Sequence, residues 1–257
     1  MKLGIIGTGF IAEAMVHGIL RDGGGGISVA VSPRGSGTAS RLARQYPTIV
    51  AVAASNQSVL DAADLVILAV RPDRLEPVLA DLTFRREHHV VSVVAGFGLS
   101  KVARLAQPAS RVTLAIPLPA MARGSAPTVI TPADDDVSAL FKRAGPVIAV
   151  DSEEAYAALG TSTAIMATHF AIGRAVTDWL SHRGVPAEKA RDYVCRLQAG
   201  LTETAEEQRE QSFQQLETAH ATPGSFNDFL RNRLSEAGAF RELANSLDVL
   251  LARMRGS

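Results

Sequence analysis

The sequence predicts an α/β protein in two parts: a doubly wound parallel sheet over residues 1–151, then an all-α region over 152–257. Three observations carry this. An apolar run, Lys2-Leu3-Gly4-Ile5-Ile6, leads into Gly7-Thr8-Gly9-Phe10-Ile11-Ala12, which matches G-x-G-x-x-[GA], and then into a helical pattern. Strand-like apolar runs alternate with helical patterns as far as Val150. From Ser152 onward no strand-like run remains.

The order of the first twenty residues is strand, glycine turn, helix. Ile11, Met15 and Ile19 recur at four-residue steps, with Ala12 and Val16 beside them, which makes a helical face. Gly7 permits a tight turn off the strand. Gly9 lets the backbone approach a pyrophosphate, and small Ala12 lets the helix pack close to the strand. The helix N-terminus offers free N–H groups and a partial positive charge. The stretch therefore reads as a dinucleotide site. A plain strand-to-helix turn also needs glycine, but has no need of this placement.

The four glycines Gly23 to Gly26 form a flexible turn. Ile27-Ser28-Val29-Ala30-Val31 is a buried parallel strand. Enzymes that choose NAD place an acid at its end to bind the ribose hydroxyls. This chain reads Ser32-Pro33-Arg34-Gly35-Ser36-Gly37-Thr38 instead. An arginine among small hydroxyl residues, with no acid, suits a 2′-phosphate; a loop carrying one arginine is the alternative. A helix over Ala39–Tyr46, a strand near Ile49–Val52 and a short helix over Ser58–Ala63 follow. Asp64–Val70 is a central apolar strand stopped at Arg71-Pro72. Asp73–Leu82 is a helix. The strand His89–Val94 ends in Ala95-Gly96-Phe97-Gly98. Leu99–Ala106 is helical, and the strand Val112–Ile116 stops at Pro117-Leu118-Pro119. Strands at Thr128–Ile130 and Val147–Val150, with a helix near Val137–Ala144, close the sheet. Ligands bind at the carboxyl ends of such strands. Ala69, Val70, Arg71, Pro72, Ala95 and Gly96 fall there.

The second part has helical patterns over Ala155–Trp179, Pro186–Ala205, Gln208–Ala219, Asn227–Leu234 and Ala239–Met254, interrupted at Ala221-Thr222-Pro223-Gly224-Ser225. A helical region of this size with no sheet to cover it finds its missing core in a partner subunit.

Composition excludes several classes. The chain has 257 residues, 47% hydrophobic and 20% charged, an ordinary globular balance. With 26 basic and 26 acidic residues nothing suggests a nucleic-acid surface. No apolar stretch reaches membrane-spanning length. The first strand begins at once, so no signal peptide is expected. Cys195 is the single cysteine, expected as a buried small hydrophobe in a helix; it cannot form an internal disulfide, so a reducing, cytoplasmic setting is expected. The six histidines are scattered, apart from His88-His89 in an expected surface loop, and no metal-ligand cluster is expected.

The sequence resembles the pyrroline-5-carboxylate reductases. Gly7–Ala14 is similar to the family's G-x-G-N-M-A-E-A, Ile67–Pro72 to I-L-A-V-K-P, and Val91–Phe97 to V-S-I-A-A-G-I. Gly184-Val185-Pro186 resembles G-L-P, and Thr222-Pro223-Gly224 stands where the family has S/T-P-G-G-T-T. The resemblance covers nearly the whole chain. Three stretches depart from it. M-P-N-x-P becomes Ile116-Pro117-Leu118-Pro119, losing the asparagine. S-G-S-G-P-A becomes Gly160-Thr161-Ser162-Thr163-Ala164-Ile165, keeping the second serine. P-G-G-T-T becomes Pro223-Gly224-Ser225-Phe226-Asn227. These losses cluster where the family holds its substrate.

The resemblance implies a Rossmann dinucleotide-binding domain over 1–151 and a helical dimerisation and substrate domain over 152–257. It implies a homodimer or higher homo-oligomer, and NADPH as hydride donor with NADH as an alternative. The expected cofactor residues are Gly7, Thr8, Gly9, Phe10, Ile11, Ser32, Arg34, Ala69, Val70, Arg71, Pro72, Ala95 and Gly96. Thr222 and Ser162 are the expected catalytic residues. Thr222, Gly224, Ser225 and Asn227 are expected to bind the substrate, with the turn's N–H groups pointing one way at a carboxylate. A plain helix–helix loop is the other reading of that turn. The implied reaction is reduction of a cyclic imino acid, pyrroline-5-carboxylate first. A protonated imine is already electrophilic, so the lack of an acid–base triad fits. It argues against a hydroxyacid dehydrogenase, since Ser152–Trp179 contains no lysine. Two alternatives remain: a paralogue reducing another imine, and an NADP-binding sensor without catalysis.

Overall fold

The computed structural model describes residues 1–255, without the side chains of Ser36 and Arg255. Eight strands form one sheet: β1 (Lys2–Ile6), β2 (Ser28–Val31), β3 (Val50–Val52), β4 (Leu65–Leu68), β5 (His89–Ser92), β6 (Arg111–Ile116), β7 (Thr128–Thr131) and β8 (Val147–Ala149), in the order β3-β2-β1-β4-β5-β6-β7-β8. The order steps out from β1 in both directions, as a doubly wound sheet must. β1 pairs in parallel with β2 and β4, bringing Gly4 opposite Ala30 and Val66.

One ladder departs from the expected parallel sheet: β7 runs antiparallel to β6, with Ala115 opposite Ile130. The link between them holds only a 3-10 turn, Pro119–Arg123, where a parallel return needs a full crossover.

Both faces of the sheet are covered. On one lie α1 (Phe10–Ile19), α2 (Ser36–Gln45) and α6 (Asp135–Lys142), burying Met15, Ile19, Leu42, Leu140 and Phe141. On the other lie α3 (Asn56–Asp61), α4 (Leu75–Ala80) and α5 (Leu99–Leu105), burying Leu60, Leu75, Leu79 and Val102. β4 is buried at every position, so its sequence Leu-Val-Ile-Leu runs apolar instead of alternating.

His88 and His89 are not in a surface loop. Both are buried, and His89 opens β5. Burial pushes both imidazoles below their ordinary range. His89 Nε2 lies 3.1 Å from Thr113 Oγ1 and 3.6 Å from Asp134 Oδ2. His89, Asp134 and Asp136 converge there, with the Arg111 guanidinium 2.7 Å from Asp134 and 2.9 Å from Asp136. The Arg111 guanidinium pairs with both carboxylates and offsets one of their two charges.

The chain divides into two compact units, 1–160 with the end of the chain from Met254, and Thr161–Arg253. The first continues past the expected boundary at 151 into α7 (Glu153–Ser162), as far as Gly160, because Tyr156 packs against the core under α3, α4 and α5. That burial raises the Tyr156 phenol far above its ordinary value.

The second unit is helical: α8 (Ile165–His182), α9 (Ala187–Glu207), α10 (Phe213–His220), α11 (Phe226–Glu236) and most of α12 (Ala239–Arg255). The helical pattern expected over Ala155–Trp179 is broken between α7 and α8. Cys195 is exposed on α9, not buried as expected. Its neighbour Val194 takes the inward position. Large apolar side chains here stand exposed, among them Ile165, Ile172, Val176 and Trp179 on α8 and Tyr193, Leu197 and Leu201 on α9. Among the described residues no helix is long and apolar enough to cross a membrane.

Candidate functional site

β1 delivers the chain into the glycine turn at the carboxyl edge of the sheet. Gly7 has φ +100°. A Cβ there would sit 2.5 Å from the Ala69 carbonyl oxygen and 2.8 Å from the Val70 nitrogen. Only glycine fits both the conformation and the space. Ala69 follows β4, and its N–H donates to the Ile6 carbonyl at 2.8 Å. The ends of β1 and β4 are thus locked together beneath the turn.

The loop after β2 braces the same turn. The Gly7 N–H donates to Ser32 Oγ at 3.0 Å, and the Thr8 hydroxyl donates to the Arg34 carbonyl. Ser32 and Thr8 are buried. Their hydroxyls shape the cradle, with Ser32 tucked under it.

Gly9 is the N-cap of α1 and no side chain caps this helix. A Cβ on Gly9 would meet nothing within 4 Å. Gly9 and Phe10 are exposed and Ile11 is half-buried. The first turn of α1 therefore presents its N–H groups and the positive end of its dipole to open space, which is the condition for binding a phosphate.

Arg34 lies exposed beyond Ser32. Gly35, at φ +83°, caps α2, so Gly37 and Thr38 belong to the helix and not to a long loop. The Ser36 side chain, also expected near a phosphate, lies outside the described residues. A cavity of about 420 Å³ opens beside Arg34, lined also by Asn56, Arg74 and Asp81. The motif-based reading missed Asn56 and Arg74, because their approach to Arg34 depends on three separate crossovers. Arg71 is strongly exposed and pairs with Asp73 at 3.1 Å. Pro72 begins a 3-10 turn, Pro72–Arg74. Ala95 and Gly96 form an exposed turn after β5.

The expected catalytic and substrate residues all lie in the second unit, with Ser162 exposed at the end of α7. The turn before α11 is closed on itself. The Gly224 N–H donates to Asp228 Oδ2 at 3.0 Å. Ser225 is the N-cap and its Oγ accepts the Asp228 N–H at 3.2 Å. The Ser225 N–H donates to the Thr222 carbonyl at 2.9 Å, and Asn227 Nδ2 donates to the His220 carbonyl at 2.9 Å. Asp228 also accepts from Arg231 at 2.6 Å and Asn232 at 3.1 Å. The Gly224 N–H, then Arg231, hold its carboxyl below the usual range. The donors expected to meet a substrate carboxylate at Gly224, Ser225 and Asn227 are thus met internally. The signal was readable: Ser225-x-x-Asp228 is a helix-capping pattern. Thr222 stays exposed, its hydroxyl without a hydrogen bond among the described residues.

A doubly wound sheet with an uncapped glycine turn defines a class: proteins with a dinucleotide-binding Rossmann domain. A family model described as "NADP oxidoreductase coenzyme F420-dependent" matches residues 2–96. The pyrroline-5-carboxylate reductase of Mycobacterium tuberculosis (strain CDC 1551 / Oshkosh) is 30% identical over 225 residues, covering 82% of this chain and 75% of that protein. The chain belongs to the pyrroline-5-carboxylate reductase family. In fold it is similar to the 1-pyrroline-5-carboxylate reductase of Streptococcus pyogenes, with TM-score 0.84 and 21% identity, covering 100% of this chain and 99% of that one. It is likewise similar to Plasmodium falciparum pyrroline carboxylate reductase solved with NADP bound, with TM-score 0.83 and 16% identity, covering 100% and 97%. The protein is an NADPH-dependent oxidoreductase acting on the C=N bond of a cyclic imine.

Proposed function

We propose that this enzyme reduces pyrroline-5-carboxylate to proline. The observation that carries the reading is the 30% identity over 225 residues to a reductase of that name. The residues of the first unit fit the cofactor: a positive-φ glycine under the turn, open space at Gly9, an uncapped helix and a cavity beside Arg34. Gly9, Phe10 and Ile11 would hold the pyrophosphate and Arg34 the 2′-phosphate, with NADH the weaker ligand. NADPH, when bound, supplies the hydride. The Thr222 hydroxyl binds the substrate, with Ser162 the second polar group assigned to catalysis. A protonated imine needs no strong acid, so these modest groups suffice.

A second copy of the chain covers the apolar stripe of α8, making a homodimer. One cysteine and no internal disulfide suit the cytoplasm.

The internally engaged donors at Gly224, Ser225 and Asn227 favour a second reading, in which the substrate is another cyclic imine whose recognition does not use this turn. NADPH consumption across five- and six-membered imines, with and without a carboxylate, separates the two. Turnover fastest on pyrroline-5-carboxylate is expected. Turnover only on imines lacking a carboxylate would replace that substrate. NADPH binding with no turnover on any imine would leave a sensor.

A further inference from the structure

The cavity beside Arg34 is built from three crossovers at the carboxyl edge of the sheet. Arg34 comes from the loop after β2, Asn56 from the start of α3, Arg74 from the 3-10 turn after β4, and Asp81 from the end of α4. Arg34 is the cation the motif supplies. Asp81 lines the same space, so Arg34 alone leaves its formal charge at zero. A 2′-phosphate brings about −1.5 to −2 charges at neutral pH. Arg74 is what turns this lining positive.

Neither arginine is engaged elsewhere. Arg41 pairs with Glu13, Arg71 with Asp73 and Arg85 with Asp61. Among the described residues Arg34 and Arg74 join no ion pair and donate no side-chain hydrogen bond. Gln57, which also lines the cavity, is committed to Asp61 and Thr83, whereas Asn56 is not. The backbone under Arg74 is fixed, because Leu75, Val78 and Leu79 are buried against the sheet and the Arg74 N–H donates to the Arg71 carbonyl at 2.9 Å. Two arginines lining one cavity and lacking carboxylate partners suit a phosphate held from two sides.

We infer that Arg74 is a second specificity-determining residue for the cofactor, gripping the adenosine 2′-phosphate together with Arg34; this rests on the dinucleotide reading of the glycine turn. Selection against NADH then lies in a pair of cations from different crossovers.

The test uses the cofactor's adenosine end alone. 2′,5′-ADP and ADP are titrated calorimetrically into the full-length protein, its Arg74→Ala, Arg74→Gln and Arg34→Ala variants, and the double variant. Arg74→Ala and Arg74→Gln are expected to weaken 2′,5′-ADP about tenfold or more and to leave ADP within about twofold. The double variant should bind the two ligands alike. Unchanged 2′,5′-ADP affinity in both Arg74 variants, or a parallel loss of both ligands, overturns the assignment while the dinucleotide reading stands. A wild-type protein that binds neither 2′,5′-ADP nor NADPH overturns both.

Discussion

The two units leave opposite things unmet. The first buries its apolar residues on both faces of the sheet yet leaves the N–H groups at the start of α1 facing open space. The second caps α11 with Ser225 and Asp228 yet leaves Phe226 95% exposed and Trp179 57% exposed. Unmet donors at a helix start are the mark of an anion site. Unmet apolar stripes are the mark of a protein surface. The contrast is between a unit with open helix-start donors and a unit with an open apolar stripe. It also shows why two turns that read alike, each with glycine before a helix, have different chemistry: one helix is capped by its own Ser225 hydroxyl, with Asp228 holding the Gly224 N–H, and the other has no side-chain cap.

The largest expected effect is at Gly7. A side chain there needs positive φ and would collide with the Ala69 carbonyl. Gly7→Ala should cost about 3 kcal/mol or more, with NADPH binding lost. Gly9→Ala has room for its methyl and ordinary φ, so it should keep the thermal midpoint and weaken only NADPH. Chemical denaturation and fluorescence titration on the pair check this. Equal destabilisation by both would mean that Gly9 is structural too, and the contrast between the turns would fail.

The second effect concerns the apolar stripe. Ile165, Ile172 and Trp179 recur at seven-residue steps on α8, and all three are exposed. Sedimentation should find a dimer in the wild type and monomers in Ile172→Glu/Trp179→Glu. Burying each such side chain against a second copy contributes roughly 1.5–3 kcal/mol. A monomeric wild type at micromolar concentration would remove the second copy as the partner.

Much of this was legible because it is local. The glycine motif between strand and helix, the apolar run of β4 and the stop at Pro72 each follow from a few consecutive residues. Arg74 beside Arg34 is not local, since three crossovers bring them to one cavity. The antiparallel β7 was hidden because its sequence reads as any strand; only the short link before it gives the direction. His88 and His89 were misplaced because polar residues suggest a surface, whereas His89 has Thr113 and Asp134 within reach on neighbouring elements. The internal closure of the turn before α11 was readable only from Asp228, three residues beyond the cap, whose carboxylate accepts the Gly224 N–H.

The smallest expected effect tests that turn. The Asp228 carboxyl is held below its ordinary range in the folded chain, first by the Gly224 N–H and then by Arg231. A carboxyl with a lowered folded pKa adds stability above its unfolded value, about 3.9, and loses it as pH falls through the folded one. Asp228→Asn should therefore lower the thermal midpoint at pH 7, and the gap to wild type should close below about pH 4. If the turn is purely structural, KM for a carboxylated imine stays unchanged while the midpoint falls. A lowered KM in Asp228→Asn would mean that the Gly224 N–H is a substrate donor which Asp228 occupies in the free enzyme. The second turn would then be an anion site like the first, differing only in carrying its own anion.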